Sequence, residues 1–125
     1  MLRTGVDIVE IERVKRVMAR SSQRFLDRIF TPQEQAYCQD RIPSLAGRFA
    51  VKEAVAKALG TGIGEMTWVE IEVVSDKMGR PELVLHGAAQ QLADKLGLVE
   101  WSISLSHTET YAVGFAVAAG RLLPE

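Results

Sequence analysis

The chain has 125 residues, 47% of them apolar, with a formal net charge of -1. That is ordinary for one folded globular domain, here 1-125, and a domain this small has little core to spare, so surplus apolar surface favours oligomerisation. The single cysteine, Cys38, excludes an intrachain disulfide and fits a reducing compartment. Charges interrupt Met1–Asp7, unlike a secretory signal, and no apolar run is long enough to span a bilayer. A cytoplasmic protein without membrane contact is therefore expected.

The charge is uneven. Residues 1–60 hold eleven Lys/Arg against seven Asp/Glu, and residues 61–125 hold four against nine. The basic excess sits mostly between Arg13 and Arg28, which points to an acidic partner there.

In chain order, Thr4 to Ile8 reads as a short buried strand. Ile11, Val14 and Met18 recur at helical spacing, and Phe25 to Phe30 forms a second short helical piece. Thr31-Pro32-Gln33-Glu34 is a helix start, with Thr31 as N-cap. A long helix is predicted from about Ser44 to Leu59, ended by Gly60. Trp68 to Val74 alternates as a strand, turns at Asp76–Pro81 and returns over Glu82 to His86. Ala88, Ala89, Leu92 and Leu96 mark a helix closed by Gly97. Trp101 to Ser106 and Tyr111 to Ala118 are the last strands. Helices early and antiparallel strands late predict an α+β domain, its antiparallel sheet packed against the long central helix.

Three acidic and basic positions stand out. In the long helix, Phe49, Glu53 and Lys57 are successive i, i+4 neighbours among small apolar residues. A buried carboxylate and ammonium there need partners; on a solvated face the same residues form a plain ion pair worth a few tenths of a kcal/mol. Asp7 lies between Val6 and Ile8, where a carboxylate is costly without a task, although a strand-end Asp also caps helices. Gly5 leaves room for close approach to the backbone. Two carboxylates, one on a strand and one on a helix, suit a magnesium ion that also takes phosphate oxygens. His107 ends its strand with the parity of Ile103 and Leu105, a position equally suited to structure or to phosphate binding.

Gly5-Val6-Asp7 and Phe49-Ala-Val-Lys-Glu-Ala-Val-Ala-Lys57 resemble the G-x-D and [WF]-x-x-K-E-A-x-x-K signatures of the 4'-phosphopantetheinyl transferases. Chain length, Ser104–Thr108 and Gly60–Gly64 resemble the short, single-repeat holo-acyl-carrier-protein synthase branch. The resemblance implies transfer of the 4'-phosphopantetheine arm of coenzyme A to a serine of an apo-acyl carrier protein, releasing adenosine 3',5'-bisphosphate, in support of fatty acid biosynthesis. By that likeness Asp7 and Glu53 bind Mg2+, Glu53 activates the serine, and Lys57 assists the leaving phosphate. Arg48 and His107 contact coenzyme phosphates, and Arg41 is the one basic candidate in the Tyr37–Ser44 connection. The family's short branch forms homotrimers with the coenzyme between subunits.

Arg13, Arg16, Arg20, Arg24 and Arg28 form one basic stripe if the first helix runs past Ser21-Ser22; singly each is an ordinary solvated residue, together they suit an acidic carrier protein. Gly60–Gly64 is not a phosphate loop, because it follows a helix and meets the negative end of the dipole. The last strand, Tyr111–Ala119, is uncharged and apolar at both parities, so both its faces need cover. Neighbouring subunits in a closed ring supply it, as do the chain's own helices in a monomer. A magnesium-dependent phosphodiesterase or nucleic-acid-processing protein is the alternative reading. The slightly acidic total charge, and the lack of aromatics among the arginines, weigh against nucleic acid.

Overall fold

The computed structural model describes residues 1–121. The chain runs β1 (Leu2–Glu10), α1 (Ile11–Ile29), α2 (Pro32–Cys38), α3 (Ile42–Ala58), a 3-10 turn (Trp68–Glu70), β2 (Ile71–Ser75), β3 (Pro81–Leu85), α4 (Gly87–Leu96), β4 (Leu98–His107) and β5 (Tyr111–Gly120). β1, β5 and β4 form an antiparallel sheet in that order, and β2 pairs with β3 as a separate hairpin. Helix α3 lies across the inner face of the larger sheet, as an α+β fold requires.

Small residues set that contact. Ala46, Ala50, Ala54 and Ala58 recur every fourth position of α3 and are all buried. A Cβ at Gly5 of β1 would stand 1.8 Å from the Ala54 carbonyl oxygen, and one at Gly114 of β5 would stand 2.3 Å from the Val51 nitrogen. The close approach that Gly5 permits is therefore that of α3 itself. Beyond it, Val51, Val55 and Leu59 pack with Ile71, Val73, Ala93 and Leu98 in the main core.

Strand β1 has the opposite parity to the one its apolar residues suggest. Val6 and Ile8 are 54% and 64% exposed, while Gly5 and Asp7 face α3. The expected buried strand is thus buried on one face only, since glycine is needed where the helix backbone touches it. In register, Val6 pairs with Phe115 and Ile8 with Val113, which in turn pair with Ser104 and Ser106. One face of the sheet is therefore an apolar band lined with serines.

The two expected early helical pieces are one helix, α1. Ser21 does not break it, because its hydroxyl donates to the Val17 carbonyl (3.1 Å) within the helix. Trp68–Glu70 is a 3-10 turn rather than strand, stabilised by the Glu70 carboxylate accepting from the Thr67 N–H (2.7 Å). The predicted Thr31 cap forms a full capping box with Glu34, and Gly60 and Gly97 adopt the left-handed conformation expected past a helix end.

A polar cluster crosses the core on the other side of α3. Lys52 and Glu34 form an ion pair of 2.8 Å with both side chains fully buried. Burial pushes the Lys52 ammonium down, and the Glu34 carboxylate opposes the shift. Glu34 also accepts from the Val73 N–H, and Thr31 donates to Glu72, which meets His86 at 2.9 Å. Burial pushes Glu72 up, but the Thr31 and His86 hydrogen bonds outweigh it and hold the carboxyl below its ordinary range.

Candidate active site

The sheet–helix contact decides where the acids meet. Asp7 is the next inward position after Gly5, and Glu53 immediately precedes Ala54 on the helix that Gly5 admits. Lys57 follows Glu53 by one turn. Its Nζ donates to Asp7 Oδ1 at 3.0 Å and to the Val6 carbonyl at 2.9 Å. The i, i+4 spacing thus gives a cross-element pair between β1 and α3.

Burial pushes the Glu53 carboxyl up, the Asp7 charge pushes it further, and Lys57 only partly offsets them. Two neighbouring carboxylates that repel each other are a site that a divalent cation relieves, and magnesium needs no more than one or two of them beside phosphate and water. The residues present fit that ion. They open on a cleft of about 490 Å³ lined by Asp7, Glu10, Arg13, Phe25, Phe49 and Glu53, among others. Its floor is acidic, and its wall along α1 is apolar.

Helix α1 carries Arg13, Arg16, Arg20, Arg24 and Arg28 as exposed residues, and none forms an ion pair among the described residues. A continuous α1 puts Arg13, Arg16, Arg20 and Arg24 close together along one side, and Arg13 borders the cleft.

Arg48 and His107 stand elsewhere. Arg48 is 4% exposed, donates to Ser75 Oγ at 2.8 Å and lies 4.5 Å above the Tyr37 ring. Its Nε has no partner. Arg41 approaches the same ring at 5.7 Å. His107 ends β4, is exposed, and its Nδ1 lies 3.3 Å from the Thr108 carbonyl. Neither Arg48 nor His107 lines the cleft. The first half of α3 lies beside β4, where Leu105 contacts Gly47, whereas Asp7 belongs to β1. β1 and β4 are opposite edges of the sheet, so His107 stands across the sheet from Asp7, while Arg48 lies on the α2 and β2 side of α3.

Sequence reasoning passed over Lys52 and Glu34. Lys52 is the first lysine of the helix signature, and its i, i+4 relation to Arg48 places it on the α2 side, away from Asp7. The signal was available: a lysine following Phe49-Ala50-Val51 in a helix rich in small apolar residues needs a counter-charge if it is buried.

The chain belongs to the 4'-phosphopantetheinyl transferase superfamily, whose family model matches residues 3–116. It is 50% identical to a holo-[acyl-carrier-protein] synthase of Herpetosiphon aurantiacus, over 96% of this chain and 100% of that one. It is 49% identical to a holo-[acyl-carrier-protein] synthase of Moorella thermoacetica, over 100% and 99%. The fold matches the crystal structure of Helicobacter pylori holo-[acyl-carrier-protein] synthase in complex with coenzyme A, with a TM-score of 0.86, 33% identity, and coverage of 93% of this chain and 99% of that one.

Proposed function

We propose that this protein transfers the 4'-phosphopantetheine arm of coenzyme A to a serine of an apo-acyl carrier protein, releasing adenosine 3',5'-bisphosphate. The observation that carries this is the convergence of Asp7, Glu53 and Lys57, with both acids lining a cleft that a basic helix borders. We place the protein in the cytoplasm, as a single domain serving fatty acid biosynthesis.

A magnesium ion held by Asp7 and Glu53 would neutralise charge on the pyrophosphate of the coenzyme. Glu53 takes the proton of the attacking serine hydroxyl. The serine oxygen then bonds to the β-phosphorus as the bond to the leaving phosphate breaks. Lys57 releases Asp7, stabilises that phosphate as a point charge and supplies its proton. The α1 arginines steer the acidic carrier protein, and the apolar wall of the cleft receives it.

The assembly is a homotrimer whose sites each draw on two chains. Arg48 and His107 serve coenzyme phosphates, His107 those at the neighbouring subunit's Asp7–Glu53 pair, because within one chain it lies on the edge of the sheet opposite Asp7. A buried guanidinium with a free Nε is a donor waiting for an oxygen. A ring contact of β1 side against β4 side unites the halves at every copy and covers the exposed face of Val6, Ile8 and Phe115.

Mass spectrometry of an apo-carrier protein incubated with coenzyme A, magnesium and this protein tests the reading. Addition of the phosphopantetheine mass by the wild type, and its loss in Asp7→Ala and Glu53→Ala, is expected. Near-normal transfer by either variant at limiting magnesium would refute the assigned roles.

A further inference from the structure

The contact that brings Glu53 to Asp7 consists of alanines on glycines. Ala50 and Val51 meet Gly114 through backbone, and Ala54 meets Gly5 in the same way. That backbone contact gives proximity, and larger side chains add registry elsewhere on the helix: Leu105 against Gly47, Phe49 against Trp68, and Val51, Val55 and Leu59 in the core. Glu53 Oε lies about 6 Å from the helix axis, so a rotation of about 10° moves it by about 1 Å.

Lys52 adds a directional polar anchor to this packing. Its ammonium has three donors, and all three are spent on fixed acceptors: Glu34 Oε1 at 2.8 Å, the Trp68 carbonyl at 3.1 Å and the Ile71 carbonyl at 2.5 Å. These acceptors lie on three elements across α3 from the sheet. Glu34 is itself held, by the Thr31 N–H (2.9 Å) and the Val73 N–H (2.9 Å). A buried ion pair is poor evidence for stability, since an apolar pair of similar volume is often as stable; fixing one arrangement among several is its better-attested use.

We propose that Lys52, clamped by Glu34, is a positioning residue for phosphopantetheine transfer: it fixes the rotation of α3 so that Glu53 and Lys57 stand opposite Asp7. The idea rests on the proposed function but concerns residues that touch no substrate. It predicts that the clamp governs turnover separately from stability and from carrier docking, which belongs to α1.

Two variants test it. Glu34→Gln keeps the capping box through its amide oxygen, but removes the counter-charge and the acceptor of the Val73 N–H. Lys52→Met/Glu34→Gln removes both charges at nearly constant volume. Each is assayed well below its Tm, for kcat, for KM toward the carrier, and for Mn2+ binding in the presence of coenzyme A by the electron paramagnetic resonance of free Mn2+. The amide resonances of Gly5 and Gly114 report the helix position directly.

The expected result is a kcat lowered by about 30-fold or more with carrier KM within about threefold. Mn2+ half-saturation should rise about tenfold, as for other residues that orient metal ligands, and the two glycine amides should shift. A folded double variant with wild-type kcat, Mn2+ affinity and glycine shifts would overturn the proposal, whatever its Tm. If the double variant does not fold, Glu34→Gln alone decides by the same readouts. Asp7→Ala is run alongside: if it binds Mn2+ like the wild type, the metal reading fails, and the glycine shifts still judge the clamp.

Discussion

Gly5→Ala is the most direct perturbation of the contact on which the site depends. The added Cβ would lie 1.8 Å from the Ala54 oxygen, 2.7 Å from its carbonyl carbon and 3.1 Å from the Ala58 nitrogen. A carbon–oxygen contact needs about 3.3 Å, so the gap must open by about 1.5 Å. The colliding atoms are helix backbone and cannot turn aside; α3 must lift. Overpacking of that kind costs about 2–4 kcal/mol, or roughly 6–15 °C of Tm for a chain of this length. Glu53 moves with Ala54, and a displacement of about 1 Å at a reacting centre costs on the order of 100-fold in rate. Gly47→Ala is the control. Its Cβ meets only the Cδ1 tip of Leu105, at 2.7 Å, which can change rotamer, and alanine is the better helix former. Thermal melts and kcat at saturating substrates should separate the two variants. A Gly5→Ala protein with wild-type Tm and kcat would refute the claim that this contact positions the site.

Three further outcomes are expected. The Glu53 pKa is raised in the folded protein, so the folded state holds that proton more tightly than the unfolded chain; its contribution to stability is full below the unfolded pKa and is lost as pH rises through the folded value. Glu53→Gln should therefore flatten the decline in Tm of the metal-free protein above the ordinary carboxylate range, and an unchanged slope in EDTA melts would count against the assignment. Reversing Arg13 and Arg24 to Glu should raise KM for the carrier about tenfold or more, with coenzyme KM nearly unchanged, and wild-type carrier KM should rise with salt; equal effects on both substrates would remove α1 as the docking helix. Phe115→Asp puts a charge on the apolar sheet face and should dissociate the assembly and abolish activity together, as sedimentation equilibrium and the transfer assay would show; an active monomer would defeat the shared-site arrangement.

The site residues were legible in the sequence because a carboxylate or ammonium in apolar surroundings marks itself: Asp7, Glu53 and Lys57 do converge. The same argument applied to Lys52 would have exposed the clamp, but its counter-charge, Glu34, lies 18 residues away and first reads as half of a capping box. β1 was expected to be buried throughout, but its apolar Val6 and Ile8 face outward, because the inward positions go to Gly5 and Asp7 beneath α3. Glycine at position 5 was the clue that the helix, not a ligand, comes close. Arg48 and His107 were expected as contacts to coenzyme phosphates from the family resemblance, and sequence spacing alone does not tell that His107 and Asp7 lie on opposite edges of the sheet.

The proposed shared-site ring would make loss of function divisible between chains. In such a mixed ring, a subunit lacking Asp7 would still offer its His107 next door, and a subunit lacking His107 would still offer its Asp7 and Glu53. Equal amounts of the two inactive proteins, mixed and reassembled at random, would regain about a quarter of their sites intact. Conversely, a single chain damaged at both edges would disable sites on either side of itself, so a minority of doubly defective subunits would poison a majority of sound ones.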